Sequence, residues 1–188
     1  MTAEILAWAG RQLTLADWEA IPEDEQFRLE LVEGVLSIMQ RPLSLHQRAV
    51  VRLTTRLDEQ LPPELTSMAE TEVIVTERPL TLRIPDLIVT REAVIERNVP
   101  RVDAADALLA VEILSDGTRK LDRILKFAEY AEAGIAQYWI VDLDEPASLR
   151  AFTLVEAAYE LSGEFTGPVT LDVAGHGVAV DPGGLTRR

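Results

Sequence analysis

The chain has 188 residues, 47% of them apolar and 27% charged, which are the proportions of a globular chain and exclude a disordered or fibrous one. It contains no cysteine, which excludes disulfides and thiolate metal sites and fits a reducing compartment. Lys+Arg 18 against Asp+Glu 32 gives a net charge of −14, the wrong sign for gripping a polyanion with a broad basic face. Any nucleic-acid chemistry must therefore rest on local charge, bound cations or assembly with another molecule.

A chain of this length is most simply one domain, residues 1–188, long enough to bury a core. The opening MTAEILAWAG carries an early Glu4 and no basic region ahead of an apolar run, so it does not read as a signal peptide. No apolar stretch approaches the roughly 20 residues that cross a bilayer. A cytoplasmic location is the expectation.

Taken in order, TLADWEAIP predicts a short helix with Thr14 as N-cap, Asp17 completing a capping box and Pro22 as the stop. FRLEL and VLSIM around Gly34 predict a hairpin. Residues 44–61 form the clearest helix, with Ser44 and Gln47 as a capping box, a face of Ala49, Leu53 and Leu57, and an end at Pro62-Pro63. TEVIVT reads as a strand, ERPLTLR as turn-rich, and IPDLIV as a strand opening at Pro85. ALLAVEIL, apolar but for Glu112, reads as a central strand buried on both faces. A helix follows over about 119–133, with a core stripe of Leu121, Ile124, Leu125 and Ala128 and a stop at Gly134. QYWIVD is the next strand, and LRAFTLV with YELSG makes a terminal hairpin. The Gly- and Pro-rich tail, about residues 176–188, reads as loosely ordered beyond a core of about 14–175. A mixed sheet flanked by helices, an α+β variety of the α/β class, is the economical architecture.

Three residues carry the chemistry. Glu112 is a carboxylate inside an apolar strand, and such a group must be paired, cation-bound or protonated, because burying it bare costs too much. A structural salt bridge would satisfy it equally. Asp86 lies at the mouth of a second apolar strand, where Pro-Asp is also a common turn signal. Two carboxylates on neighbouring strands can share a hard divalent cation, which acidifies a bound water and stabilises charge on a phosphoryl oxygen. Asp122, Lys126 and Tyr130 are spaced four apart on the following helix, so Lys126 could lean over the strand end. An Asp122–Lys126 surface pair worth about 0.3 kcal/mol is the plainer account. The sequence has no GK[ST] phosphate loop, HExxH or GxSxG, and two histidines without cysteine make a structural zinc centre a poor fit.

The ordered set RLELVEGVL, SLHQRAV, IPDLIV, LLAVEILS and DRILKFAEYAEAGIAQYWIVD resembles the PD-(D/E)XK nuclease superfamily. Within it, the set is similar to the family labelled "putative restriction endonucleases", over roughly residues 14–175. The resemblance implies a restriction endonuclease-like fold with Asp86 and Glu112 as metal ligands for Mg²⁺, or Mn²⁺. The lysine of the motif is expected two residues after Glu112, where this chain has Leu114; Lys126 stands at the matching position on the next helix. Glu30 is similar to the acidic residue that precedes the core motif, and His46 matches a position usually held by histidine. Tyr130 and Asp142 also match, and read as structural. His176 lies outside the matched motifs and is given no role. After VEILS the family commonly has Pro-Ser-Thr, against Asp116-Gly117-Thr118 here.

The implied activity is metal-dependent hydrolysis of DNA phosphodiester bonds, with Asp86, Glu112, Lys126, Glu30 and His46 at the site. The alternatives are a catalytically silent module of nuclease fold that binds DNA or protein, and action on RNA. A homodimer would suit the cutting of two strands.

Overall fold

The computed structural model describes residues 3–114 and 122–187, and of Ala3, Asp122 and Arg123 the backbone alone. The chain opens with α1 (Ala3–Leu6), α2 (Leu15–Ala20), and the hairpin of β1 (Phe27–Val32) and β2 (Val35–Gln40). Thr14 caps α2 through the expected reciprocal box with Asp17. Glu33 and Gly34 turn the hairpin with φ of 51° and 79°, the left-handed pair that suits the twist of a two-residue loop.

The long helix α3 (Ser44–Asp58) buries Ala49, Leu53 and Leu57 on one face, as the periodicity requires. Its ends differ from expectation. Ser44 is already helical, the flanking residue is the extended Leu43, and no side chain caps the start. The helix ends at Asp58 instead of 61, because the residue before Pro62 is pushed out of the α region.

Next come β3 (Leu65–Ala69), β4 (Val73–Glu77), β5 (Leu80–Arg83), β6 (Leu87–Arg91), α4 (Glu92–Ile95), β7 (Val102–Asp103) and β8 (Leu109–Ile113). The segment read as turn-rich holds β5, all four of whose residues are buried; turn chemistry is confined to Arg78-Pro79. Beyond residue 121 lie a π-helical turn (Asp122–Lys126), α5 (Phe127–Glu132), β9 (Gln137–Asp142), β10 (Ser148–Val155), β11 (Ala158–Phe165), β12 (Val169–Val173) and β13 (His176–Val180).

Among the described residues the strands form a sheet ordered β2-β1-β5-β4-β7, a larger one ordered β11-β10-β9-β8-β6-β3, and the pair β12-β13. In the larger sheet β8 pairs antiparallel with β6 and parallel with β9. Central placement explains why every residue of β8 is buried.

Alternation divides that sheet into two faces. Leu87, Val89, Leu109, Val111, Ile113, Trp139 and Val141 pack with α3. Ile88, Ala110, Tyr138 and Ile140 pack with Tyr130 and Ala131 of α5. Glu112 falls in phase with this second face, and Asp86 directly precedes β6. The tail is not loose: Val178, Val180 and Leu185 are buried in the α3 core, and Arg52 donates to the carbonyls of Gly184 and Leu185. Three apolar side chains at those positions outweigh the Gly and Pro content that suggested disorder.

Candidate active site

The pairing of β6 with β8 runs Leu87 to Val111 and Ile88 to Ala110. Asp86 directly precedes β6, so it stands at the end of that strand beside the end of β8 that carries Glu112. Asp86 is held from three directions. Its Oδ2 accepts from the Ile113 amide at 2.8 Å and from His46 Nε2 at 3.0 Å, and its Oδ1 accepts from Arg28 Nη1 at 2.9 Å. His46 Nε2 also lies 2.9 Å from the Ile113 carbonyl. A carbonyl can only accept, so Nε2 carries a proton and is the donor to both oxygens. Nδ1 of His46 is buried and, among the described residues, has no hydrogen-bond partner.

Glu112 receives the helix. Its Oε1 accepts from Lys126 Nζ at 2.9 Å and from the Tyr130 hydroxyl at 2.9 Å. Lys126 and Tyr130 are buried, although the expected core stripe of this helix was Leu121, Ile124, Leu125 and Ala128. Ile124 is 64% exposed and Leu125 46% exposed, Ala128 also faces solvent, and Leu121 lies outside the described residues. The cause is the π turn over 122–126, which inserts an extra residue and rotates the phase of the helix so that Lys126 and Tyr130 point inward. The opposed strand end supplies the reason for that phase, because Glu112 needs donors more than Ile124 needs burial. Asp122 lies at the start of this turn, and Asp116, Gly117, Thr118 and Lys120 lie outside the described residues.

Glu30 of β1 joins from the other sheet. Its Oε2 accepts from Arg83 Nη1 at 2.8 Å, its Oε1 accepts from the Ile84 amide at 3.0 Å, and Lys126 Nζ is 3.5 Å away. Arg83 then forks onto Glu129 of α5 with two bonds of 2.7 Å. Arg83 and Glu30 are both fully buried, while Glu129 keeps 21% of its side-chain surface exposed. Glu33 stands in the exposed turn, off the face of Glu30. Leu114, where the motif's lysine was expected, is buried in the α5 core.

The charges settle one another. Burial pushes the Asp86 carboxyl up, but the His46 hydrogen bond and the charges of His46, Arg28 and Lys126 outweigh it and hold the group at about 2. Glu30 is likewise lowered, burial being overcome by Lys126, Arg83 and Arg28. Tyr130 is raised well above its ordinary value by burial and by the neighbouring Glu112 charge. Arg28 is held protonated against the cost of burial by Asp86, Glu112 and Glu30 together.

Sequence reasoning named Asp86, Glu112, Lys126, Glu30 and His46; the fold joins Asp86 with His46 in one buried cluster and Glu112, Lys126 and Glu30 in a second. It missed Arg28, Arg83 and Glu129, and took Tyr130 as mere packing. Arg28 precedes Glu30 by two residues in a strand, which places it on the same face, and that spacing was the available signal.

Two buried carboxylates side by side, with hard oxygen donors and a resident guanidinium between them, form a place built for positive charge. Such a donor set suits Mg²⁺ or Mn²⁺, ions bound through one or two carboxylates plus waters and phosphate oxygens. Among the described residues no group of three or more His, Cys, Asp or Glu side chains is set to hold an ion, so the protein offers no closed cage.

Residues 15–180 match the model of the Uma2 family, described as "Putative restriction endonuclease". The curated proteins give no match. Among solved structures, a chain titled a "putative nuclease belonging to DUF820" from Anabaena variabilis aligns with a TM-score of 0.70 and 18% identity, covering 93% of this chain and 97% of that one. At that identity the likeness speaks for the fold: a mixed α+β, nuclease-like architecture. With the family match spanning nearly its whole length, the chain belongs to the Uma2 family of restriction endonuclease-like proteins.

Proposed function

We propose that the chain is a divalent-metal-dependent endonuclease that hydrolyses DNA phosphodiester bonds as one nuclease domain. The observation that carries this reading is the Lys126 ammonium, buried and 2.9 Å from Glu112, beside an Asp86 carboxylate one strand away. Asp86 and Glu112 would hold Mg²⁺ or Mn²⁺, which when bound supplies a Lewis acid for a phosphoryl oxygen and acidifies a water.

The chain's own groups do the rest. Glu112 orients Lys126, and Tyr130 fixes Glu112 by donating to the same oxygen. Lys126 aligns the attacking water and stabilises negative charge as it builds on the phosphoryl group. Glu30 keeps the ammonium at the strand end, and His46 fixes the orientation of Asp86. The bound ion would supply local positive charge that the overall −14 lacks. A cytoplasmic homodimer with two sites related by a two-fold would cut both strands.

Cleavage of supercoiled and single-stranded DNA with Mg²⁺ or Mn²⁺ tests the reading. Lys126→Ala should slow single-turnover cleavage by roughly 10²–10³ at saturating metal, and Glu112→Ala by at least as much. Failure to cut any DNA form, or variants that cut at the native rate, would sink it.

The acidic surface favours one second reading, a silent nuclease-fold module that binds DNA or a protein partner. Titration calorimetry separates the two, since only the silent module shows no divalent-ion uptake dependent on Asp86 and Glu112.

A further inference from the structure

Among the described residues three cations, Arg28, Arg83 and Lys126, meet the carboxylates of this site, and they differ in where they face. Arg83 and Lys126 are sealed in the interior. Arg28 instead lines an open cleft of about 530 Å³ alongside Ile84, Trp18, Arg41, Glu72 and Arg101. Its Nη1 bonds Asp86 Oδ1 at 2.9 Å, its Nη2 donates to the Ile84 carbonyl, and its buried Nε has no hydrogen-bond partner among the described residues.

The two oxygens of Asp86 are also unlike. Oδ2 is fixed by the Ile113 amide and His46, two donors that can stay in place whatever binds elsewhere. The described partner of Oδ1 is Arg28, so a metal on this oxygen has either to share it with the guanidinium or to displace it. A divalent ion and a guanidinium on one oxygen repel each other strongly in a buried site. The long arginine stem already opens on the cleft. There Arg101 is tied to Glu19 and Glu72, whereas Arg41 bonds only the Asp24 carbonyl among the described residues.

We propose that Arg28 is an exchangeable cation: it neutralises Asp86 in the metal-free protein, a divalent ion replaces it on Oδ1, and the freed guanidinium grips a substrate phosphate in the cleft beside Arg41. The inference rests on the metal-dependent reading above and adds a competitor for the ion and a phosphate contact. A guanidinium suits the second role because its fork of N–H donors matches phosphate geometry.

Calorimetric titration of Mn²⁺ into the native chain, Arg28→Met and Asp86→Asn tests it, with circular dichroism to check folding. Arg28→Met should take up Mn²⁺ about tenfold more tightly, since a competing charge is gone. At saturating Mn²⁺ it should show a KM for DNA raised about tenfold, because a charge-assisted phosphate contact is lost. Ion uptake that Asp86→Asn abolishes but Arg28→Met leaves equal or weaker overturns the exchange while sparing the metal-dependent reading. No uptake by either the native chain or Arg28→Met overturns both. Should Arg28→Met not fold, the guanidinium resonance of Arg28, identified by its loss in Arg28→Lys, supplies the readout. Added Mg²⁺ should shift it and speed its proton exchange, and an unmoved signal overturns the proposal.

Discussion

The buried charge falls into two regions built from the same residue types and put to different use. In one, Arg28 lines a cleft and bonds the buried Asp86, which His46 also holds, and Arg28 keeps 14% of its side-chain surface exposed. In the other, Glu30, Arg83 and Glu129 interlock with Lys126, Glu112 and Tyr130, and Arg83 keeps none. Each arginine is paired with carboxylate, so the difference is access. A sealed ion network tolerates no vacancy, because removing one partner leaves an uncompensated charge with no route to water. A network open on one side can exchange a partner, which is what a site that must admit an ion requires. The Arg83–Glu30 pair is closed to solvent, and the Arg28–Asp86 pair is open at Arg28.

The strongest test of this contrast is Arg83→Met. It strands both Glu30 and Glu129, and urea unfolding should report a loss of about 3–5 kcal/mol. Arg28→Met, which leaves Asp86 its donors from Ile113 and His46, should lose clearly less; equal losses would erase the distinction. Tyr130→Phe removes one donor from a charged acceptor, and the same measurement should give about 1.5–3 kcal/mol.

Melting temperature against pH separates the regions by sign. Asp86 titrates lower folded than its ordinary 3.8, so its contribution is intact above about pH 4 and is lost as pH falls toward 2. Asp86→Asn should flatten that acid limb. Tyr130 titrates higher folded than its ordinary 10.0, so its contribution holds below pH 10 and is lost above it, and Tyr130→Phe should flatten the alkaline limb. Swapped assignments would mean that the residues do not pair as described. The smallest effect is expected at the surface. Ile124→Ser and Leu125→Gln should each change stability by no more than about 0.5 kcal/mol, whereas a core stripe at those positions would cost several times more.

Much of the site was legible before folding because its signals are local. Glu112 interrupts an apolar run, Asp86 opens the neighbouring one, and the order of these segments with SLHQ and DRILKFAEY carried the family. Lys126 was found by alignment of motifs, yet its inward direction contradicts the apolar periodicity around it. Arg28 and Arg83 gave almost no signal. Their partners lie 58 and 53 residues away, and no short-range pattern encodes a pair that exists only once distant segments are brought together.

Sequence alone determined β1, β2, β4, β6 and β8 to β11, because alternation and unbroken apolar runs decide which faces can be buried. It determined the capped α2, the Glu33-Gly34 hairpin and the presence of two acids that could not be buried bare. Tertiary structure alone decided what those acids bind. It turned the helix after β8 by one inserted residue, so that Lys126 and Tyr130, and not Ile124 and Leu125, face the core. It also placed β1 beside β5, which brought Glu30 and Arg28 to carboxylates and cations from distant segments. The physical reason is the same in each case: a buried charge chooses its partner by distance in space, and the cost of leaving it unpaired exceeds the preference of any local stretch of chain.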